Sequence, residues 1–305
     1  MNGFLNINKP AGMSSAAVVG AIKRLTGEKR VGHAGTLDPM AAGVLPIMVG
    51  RATRLFDYLV DKRKEYVAVC AFGAATDTQD ATGRILETGT NYPAMDRILT
   101  EIPKLTGDIR QKPSMYSAIK VDGQRLYALA RKGETVDVPE RTVHVDSIEI
   151  LGEEPDHGVR IRVACGKGTY IRSICADLGK LCGCPAHMRS LTRIRSGVFT
   201  LEEALELEEA RALAAEGRLA DHLMAMDAPI GHLRRMDAPK CLAKQVAAGA
   251  ALSLEMMTAK GGEKPEIPEE GGVTRIYLKG AFWGIAERKE DRLVWRAQIP
   301  PEEKA

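Results

Sequence analysis

The chain has 305 residues, is 45% hydrophobic and 27% charged, and carries a formal charge of +3, the profile of a globular protein long enough for one large domain and a small one. Its apolar runs are too short to span a bilayer, and Phe4-Leu5-Asn6-Ile7 follows Met1 without a basic segment and signal core, so a cytoplasmic protein with no membrane contact is expected. The small net charge hides a segregation, because residues 1–64 hold ten Lys/Arg against four acids and residues 159–195 hold eight against Asp177 alone, which fits a face that neutralises phosphates.

In chain order, Ser14 or Ser15 caps a predicted helix whose Val18, Val19, Ile22 and Leu25 recur at helical spacing and which Thr26-Gly27 ends. A second helix is expected over Met40 to Val44, with Asp38 as its cap and Pro39 at its first position. From Lys64 to Gly73, Tyr66, Ala68, Cys70 and Phe72 alternate with Glu65, Val67, Val69 and Ala71, the pattern of a mostly buried strand. Residues 110–141 are basic with interleaved apolar and aromatic residues, and read as a loop followed by a helix from Gln124 to Arg131. Further strands are expected at 143–151 and 158–164, the latter alternating Val159, Ile161 and Val163 with Arg160 and Arg162. Thr200-Leu201-Glu202-Glu203 reads as a capping box opening an acidic helix. Composition changes near Gly231-His232, after which a short helix at 243–250, a Gly/Pro/Glu-rich loop at 260–272 and strands at Arg275–Leu278, Ala281–Glu287 and Leu293–Gln298 outline a small β module.

Of six cysteines, Cys165, Cys175, Cys182 and Cys184 lie close in sequence. The single residue between Cys182 and Cys184, with His187 nearby, does not match zinc-knuckle spacing, so reduced, mostly buried thiols and no metal are expected.

The most informative stretch is Gly32-His33-Ala34-Gly35-Thr36-Leu37-Asp38-Pro39-Met40-Ala41-Ala42-Gly43-Val44-Leu45-Pro46, which fixes one carboxylate in a Gly- and Pro-punctuated loop among small and apolar neighbours. With Asn8-Lys9-Pro10-Ala11-Gly12-Met13-Ser14-Ser15 ahead of it, the stretch resembles the signature of the TruB family of tRNA pseudouridine synthases. The resemblance runs from Phe4 to about Gly197. It implies an α+β pseudouridine synthase fold with a central, mostly antiparallel sheet and flanking helices. Residues 1–231 would be catalytic, with an RNA-gripping insertion at 110–141, and residues 232–305 would form a PUA-like RNA-binding domain.

The implied activity is isomerisation of uridine 55 in the tRNA T-loop, by base flipping, glycosidic cleavage, rotation and reattachment through carbon. That chemistry needs a nucleophile, a dry pocket and polar groups for the uracil edge, with no cofactor. The family's nucleophile corresponds to Asp38. Its base-stacking tyrosine corresponds to Tyr66 in Lys64-Glu65-Tyr66, and its arginine partner to Arg172 in Gly166-Lys167-Gly168-Thr169-Tyr170-Ile171-Arg172, with Tyr170 in the pocket. Tyr170 and Arg172 share a face if the chain is extended there. Leu191 corresponds to the pocket wall, His33 to the histidine that supports the displaced nucleotide, and Lys9 with Pro10 to the pocket floor. Without the resemblance, Tyr66 and Leu191 read as core residues, His33 as a loop brace and Arg172 as a phosphate ligand. The substrate expected is tRNA, with no protein partner and a monomer by default. The alternatives are a guide-RNA-dependent synthase, a tRNA-binding chaperone, and a glycosidase, which would normally need a second carboxylate that no motif supplies near Asp38.

Overall fold

A computed structural model describes residues 1–59, 63–112, 120–121, 124–125, 138–258 and 267–301. The large sheet runs, in spatial order, Leu205–Glu206, Gly3–Lys9, Ala42–Val49, Ala186–Ser196, Lys64–Phe72, Gly158–Cys165, Arg141–Glu154 and Gly107–Gln111. Neighbours along it are antiparallel, save the pairings of Gly3–Lys9 with Leu205–Glu206 and of Ala42–Val49 with Ala186–Ser196. The fold is thus mixed α/β with a mostly antiparallel sheet, as the resemblance implied.

Lys64–Phe72 lies between Ala186–Ser196 and Gly158–Cys165. Its alternate residues Ala68, Cys70 and Phe72 pack with Ile171, Ile174, Cys175 and Leu178 of the helix Ile171–Cys182. In Gly158–Cys165 the predicted alternation is realised, with Val159, Ile161 and Val163 buried and Arg160 and Arg162 exposed. A second cluster joins Leu5, Ile7, Leu45 and Ile47 to Val18 and Ile22 of the helix Ser15–Thr26 and to Leu207 and Ala210 of the helix Leu207–Ala215. Burying each large aliphatic side chain contributes about 1.5–3 kcal/mol, so these two clusters are the main stabilisers of the sheet. The first helix is bounded as expected: Ser14 Oγ accepts from Ala17 N, and Gly27 is left-handed with φ 65°.

Three sequence expectations are corrected. Residues 42–49 form a strand, and Pro39-Met40 form only a turn, in which Ala41 N donates to Asp38 O at 3.1 Å. The short apolar run could serve either period, and full pairing with Gly3–Lys9 on one side decides for the strand. Gly43 permits the contact on the other side: its φ is +103°, and a Cβ there would lie 2.2 Å from Arg193 O. Thr200 does not open a helix, because Phe199–Thr200 turns back to pair with Arg195 and Ser196, and the acidic helix begins only at Leu207. Gln124–Arg125 pairs with Lys120–Val121, so no helix starts at Gln124; of the 110–141 expectation, residues 113–119, 122–123 and 126–137 lie outside the described residues.

After the turn Ala228–Ile230, a five-stranded sheet runs Arg234–Ala238, Val273–Leu278, Ala281–Lys289, Arg292–Gln298 and Leu252–Ser253, with the helix Ala243–Ala248 near the predicted place. This C-terminal β domain has its own core around Met236, Leu242, Val246, Ile276 and Leu293. It also shares one with the large sheet, where Ile285, Ala297 and Ile299 pack with Phe4, Val44, Met48, Ala52 and Leu55. Arg54 Nη1 donates to Gln298 O at 2.8 Å, and Arg51 Nη1 donates to Pro300 O.

Cys70, Cys165, Cys175, Cys182 and Cys184 are free and buried, while Cys241 is free and exposed. Among the described residues no helix is long and apolar enough to cross a membrane, and no three His, Cys, Asp or Glu side chains are grouped to hold a metal ion.

Candidate active site

The loop around Asp38 is held almost entirely through its own backbone. Ser15 Oγ both accepts from Leu37 N at 2.9 Å and donates to Leu37 O at 3.0 Å, fixing the residue before Asp38. Gly12 N donates to Pro39 O at 2.7 Å, fixing the residue after it. Lys9, fully buried, donates to the carbonyls of Pro10, Met13 and Pro39. Arg193, also fully buried, donates to Val44 O, Thr36 O and Gly35 O at 2.7, 3.3 and 3.1 Å. A buried cation is tolerated when its donors find acceptors, and here carbonyls of the loop and of the strand after it supply them.

Asp38, thus presented, faces a cleft of about 230 Å³ lined also by Tyr66, Tyr170, Arg172, Met188 and Leu191. Tyr66, 6% exposed, sits opposite Arg193 in the sheet register, and burial pushes its phenol up so that it stays protonated at neutral pH. Leu191, on the next strand, is 8% exposed. Lys64 separates this cleft from a more apolar depression lined by Pro46, Phe56, Leu59 and Val198, which has no carboxylate in its lining.

Arg172 reaches Asp38 from the first turn of the helix Ile171–Cys182, with Nη2 3.5 Å from Asp38 Oδ2. The chain is therefore extended only up to Tyr170, which precedes the helix, and the expectation that Tyr170 and Arg172 share a strand face does not hold. Both still line the cleft, because the guanidinium turns back over the Tyr170 ring, 5.3 Å from its centroid. Arg172 is 4% exposed.

Sequence reasoning missed Asp80, whose Oδ2 lies 3.7 Å from Arg172 Nη1. Its other oxygen accepts from Thr78 Oγ1, Thr82 N and Thr82 Oγ1 at 2.8, 2.9 and 2.6 Å, so only Oδ2 is left facing the guanidinium. One buried arginine is thus shared by two carboxylates. Asp80 is not among the cleft-lining residues, so it stands behind Arg172 rather than beside a bound sugar, which is unlike the paired acids of a glycosidase. The Thr76-Asp77-Thr78-Gln79-Asp80-Ala81-Thr82-Gly83 run of short turn-forming side chains was the available signal.

His33 does not line the cleft; it ends the short strand Val31–His33, where its Nδ1 accepts from Gly35 N at 3.4 Å. Burial, and secondarily Arg193, lower its pKa and keep it neutral at pH 7. Lys9 lies under the Asp38 loop, its pKa pushed down to about 8 by burial against the raising effect of Asp38.

The Asp38 pKa is raised, first by burial and then by Asp80, with Arg172 and Lys9 opposing. A carboxylate that must be ionised to react therefore loses activity as pH falls through a value above the ordinary 3.8. Lys9→Met, which removes one opposing cation, is expected to move this acid limb to still higher pH. A single-turnover pH–rate profile in which the limb stays put would refute the assignment.

Known proteins share this fold. The chain superposes on one in a Cbf5-Nop10-Gar1 complex with TM-score 0.69 and 27% identity, over 93% of this chain and 78% of that one. It also superposes, with TM-score 0.72 and 24% identity over 99% of this chain and 86% of that one, on one in an H/ACA RNP bound to a substrate RNA containing 2'-deoxyuridine, a likeness of fold alone. The family models and curated relatives that match the chain are those of pseudouridine synthases. Residues 23–171 match the TruB family pseudouridylate synthase N-terminal domain, and residues 172–231 match the tRNA pseudouridylate synthase B C-terminal domain. The tRNA pseudouridine synthase B of Aromatoleum aromaticum is 40% identical over 287 residues, 94% of this chain and 89% of that protein. That of Bacillus licheniformis is 42% identical over 257 residues, 82% of this chain and 83% of that protein. The chain belongs to the TruB family.

Proposed function

We propose that this chain converts uridine 55 in the T-loop of tRNA to pseudouridine, acting as a single chain without a guide RNA or a protein partner in the cytoplasm. The observation that carries the reading is the buried Arg172 within 3.5 Å of Asp38 in a cleft walled by Tyr66 and Leu191. The flipped uracil stacks on Tyr66 against Leu191, where water is excluded. Asp38, kept ionised by Arg172 and Lys9, labilises the bond between the base nitrogen and the anomeric carbon. The base turns while the cleft retains it, the anomeric carbon joins carbon 5, and the carbon 5 proton leaves as the nitrogen regains one, so atoms and electrons balance without a cofactor. Tyr170 closes the pocket, and His33 supports the displaced nucleotide.

Residues 1–231 act as the catalytic domain, with 110–141 gripping RNA, and 232–305 act as a PUA-like RNA contact. Lys64 and Lys167, near the cleft, suit the backbone phosphates of a bent T-loop, since structured RNA is recognised largely by shape and charge. The test is tritium release from unmodified tRNA labelled at carbon 5 of uracil. Release is expected, and it should vanish when the T-loop uridine is replaced by cytidine. No release, with tRNA binding intact, would leave a tRNA-binding chaperone.

A further inference from the structure

Tyr170 occupies the N-cap position of the helix Ile171–Cys182, yet its side chain makes no capping hydrogen bond. Ser, Thr, Asp and Asn are favoured there because a side-chain oxygen takes up a first-turn N–H, a contact that Tyr forgoes. Its ring instead lines the cleft, with the Arg141 and Arg172 guanidinium carbons 4.8 and 5.3 Å from the ring centroid. The backbone of Tyr170 is held by a side chain from the last strand of the large sheet. Gln111 Nε2 donates to Tyr170 O at 3.1 Å, and Gln111 Oε1 accepts from Tyr170 N at 3.0 Å. Gln111 is fully buried and lies opposite Arg141 in register.

A buried amide is tolerated when its donor and acceptor are both engaged, and here both are engaged on one residue. Tyr170 O also accepts from Ile174 N at 3.2 Å, so the Gln111 clamp is continuous with the first turn of the helix. One residue beyond Arg172, Ser173 Oγ donates to Gln79 Oε1 at 2.9 Å, and Gln79 directly precedes Asp80. Arg172 therefore stands between two residues that are each tied to a glutamine. Neither glutamine touches the cleft.

We propose that Gln111 is a positioning residue for the isomerisation: by clamping both backbone polar groups of Tyr170 it fixes the ring in the cleft and the helix start that aims Arg172 at Asp38. The inference rests on the roles proposed above for Asp38 and Arg172. Gln111 falls within the 110–141 segment but is fully buried there and offers RNA no contact, so the clamp acts on the geometry of one reacting group, which separates it from a purely structural role and from RNA gripping.

Two variants test it in the full chain. Gln111→Met keeps length and removes both hydrogen bonds; the single-turnover rate at saturating tRNA is expected to fall about 30- to 100-fold, as a misplacement near 1 Å does, with tRNA affinity changed by no more than about twofold. Gln111→Glu keeps an acceptor for Tyr170 N. Ionised, it sets a charged oxygen against Tyr170 O; protonated, it regains the donor. Its rate relative to the native chain at the same pH is therefore expected to rise as pH falls. Should Gln111→Met fail to fold, this ratio decides alone. A native rate in Gln111→Met, a rate loss matched by an equal loss of tRNA affinity, or a Gln111→Glu ratio flat with pH would each overturn the proposal. Either result is read beside the native chain and Asp38→Asn: activity in the first and none in the second keep the reading of the site even where Gln111 fails.

Discussion

Asp38→Asn should lower the isomerisation rate by at least about 10⁴-fold, on the scale seen when a reacting group is removed, while tRNA still binds. The substitution keeps shape and removes charge, so the Ser15, Gly12, Lys9 and Arg193 contacts to the loop backbone survive it. Stability should move the other way. Burial, with Asp80, raises the Asp38 pKa despite Arg172 and Lys9, which means that the folded chain holds this proton more tightly than the unfolded chain does. Below the ordinary value of 3.8 the carboxyl is neutral in both folded and unfolded states and imposes no penalty. As pH rises through that value the unfolded chain ionises first, and the folded chain carries the penalty at neutral pH. Asp38→Asn is therefore expected to melt at or above the native temperature at pH 7, with the difference shrinking towards pH 4. A calorimetric scan in which the variant is the less stable at pH 7 would sink this account of the site.

Removal of residues 232–305 is expected to cost more stability than any single substitution. Phe4, Val44, Met48, Ala52 and Leu55 are at most 4% exposed and pack in one cluster with Ile285, Ala297 and Ile299. Stripping off that cover exposes several large apolar side chains at about 1.5–3 kcal/mol each, against total stabilities of about 5–15 kcal/mol. The truncated chain should aggregate or melt at least about 10 °C below the full one. Ile299→Ala in the full chain is the milder check and should destabilise by about 2–5 kcal/mol. A 1–231 fragment that melts with the intact chain would show that the shared core contributes nothing.

Elements with a strong period were legible: the helix from Ser15, the strand from Lys64 and the strand from Gly158 stand where alternation and capping put them. The apolar run after Pro39 was not, since only pairing with distant strands separates a buried strand from a short helix. At the site, Asp38, Tyr66, Tyr170, Arg172 and Leu191 were reachable through a family signature and do converge on one cleft. Asp80, Arg193 and Gln111 carry no such local mark. Their roles depend on which backbone or guanidinium the fold brings opposite them, through contacts such as Arg193 to Val44 O and Gln111 to Tyr170. Arg193 in particular reads in sequence as another phosphate-binding cation, yet it is wholly enclosed.

The distribution of thiols gives the native chain a chemical address. Burial pushes the Cys165 thiol up to about 11 and raises that of Cys182, and the hydrogen bond with Cys175, together with burial, raises that of Cys70, so these sulfurs are poor nucleophiles as well as inaccessible. Cys241 alone is open to solvent, at the start of the C-terminal β domain and outside the Asp38 cleft. A maleimide dye would therefore mark one position without mutagenesis, turning the unaltered enzyme into its own fluorescent reporter of RNA capture.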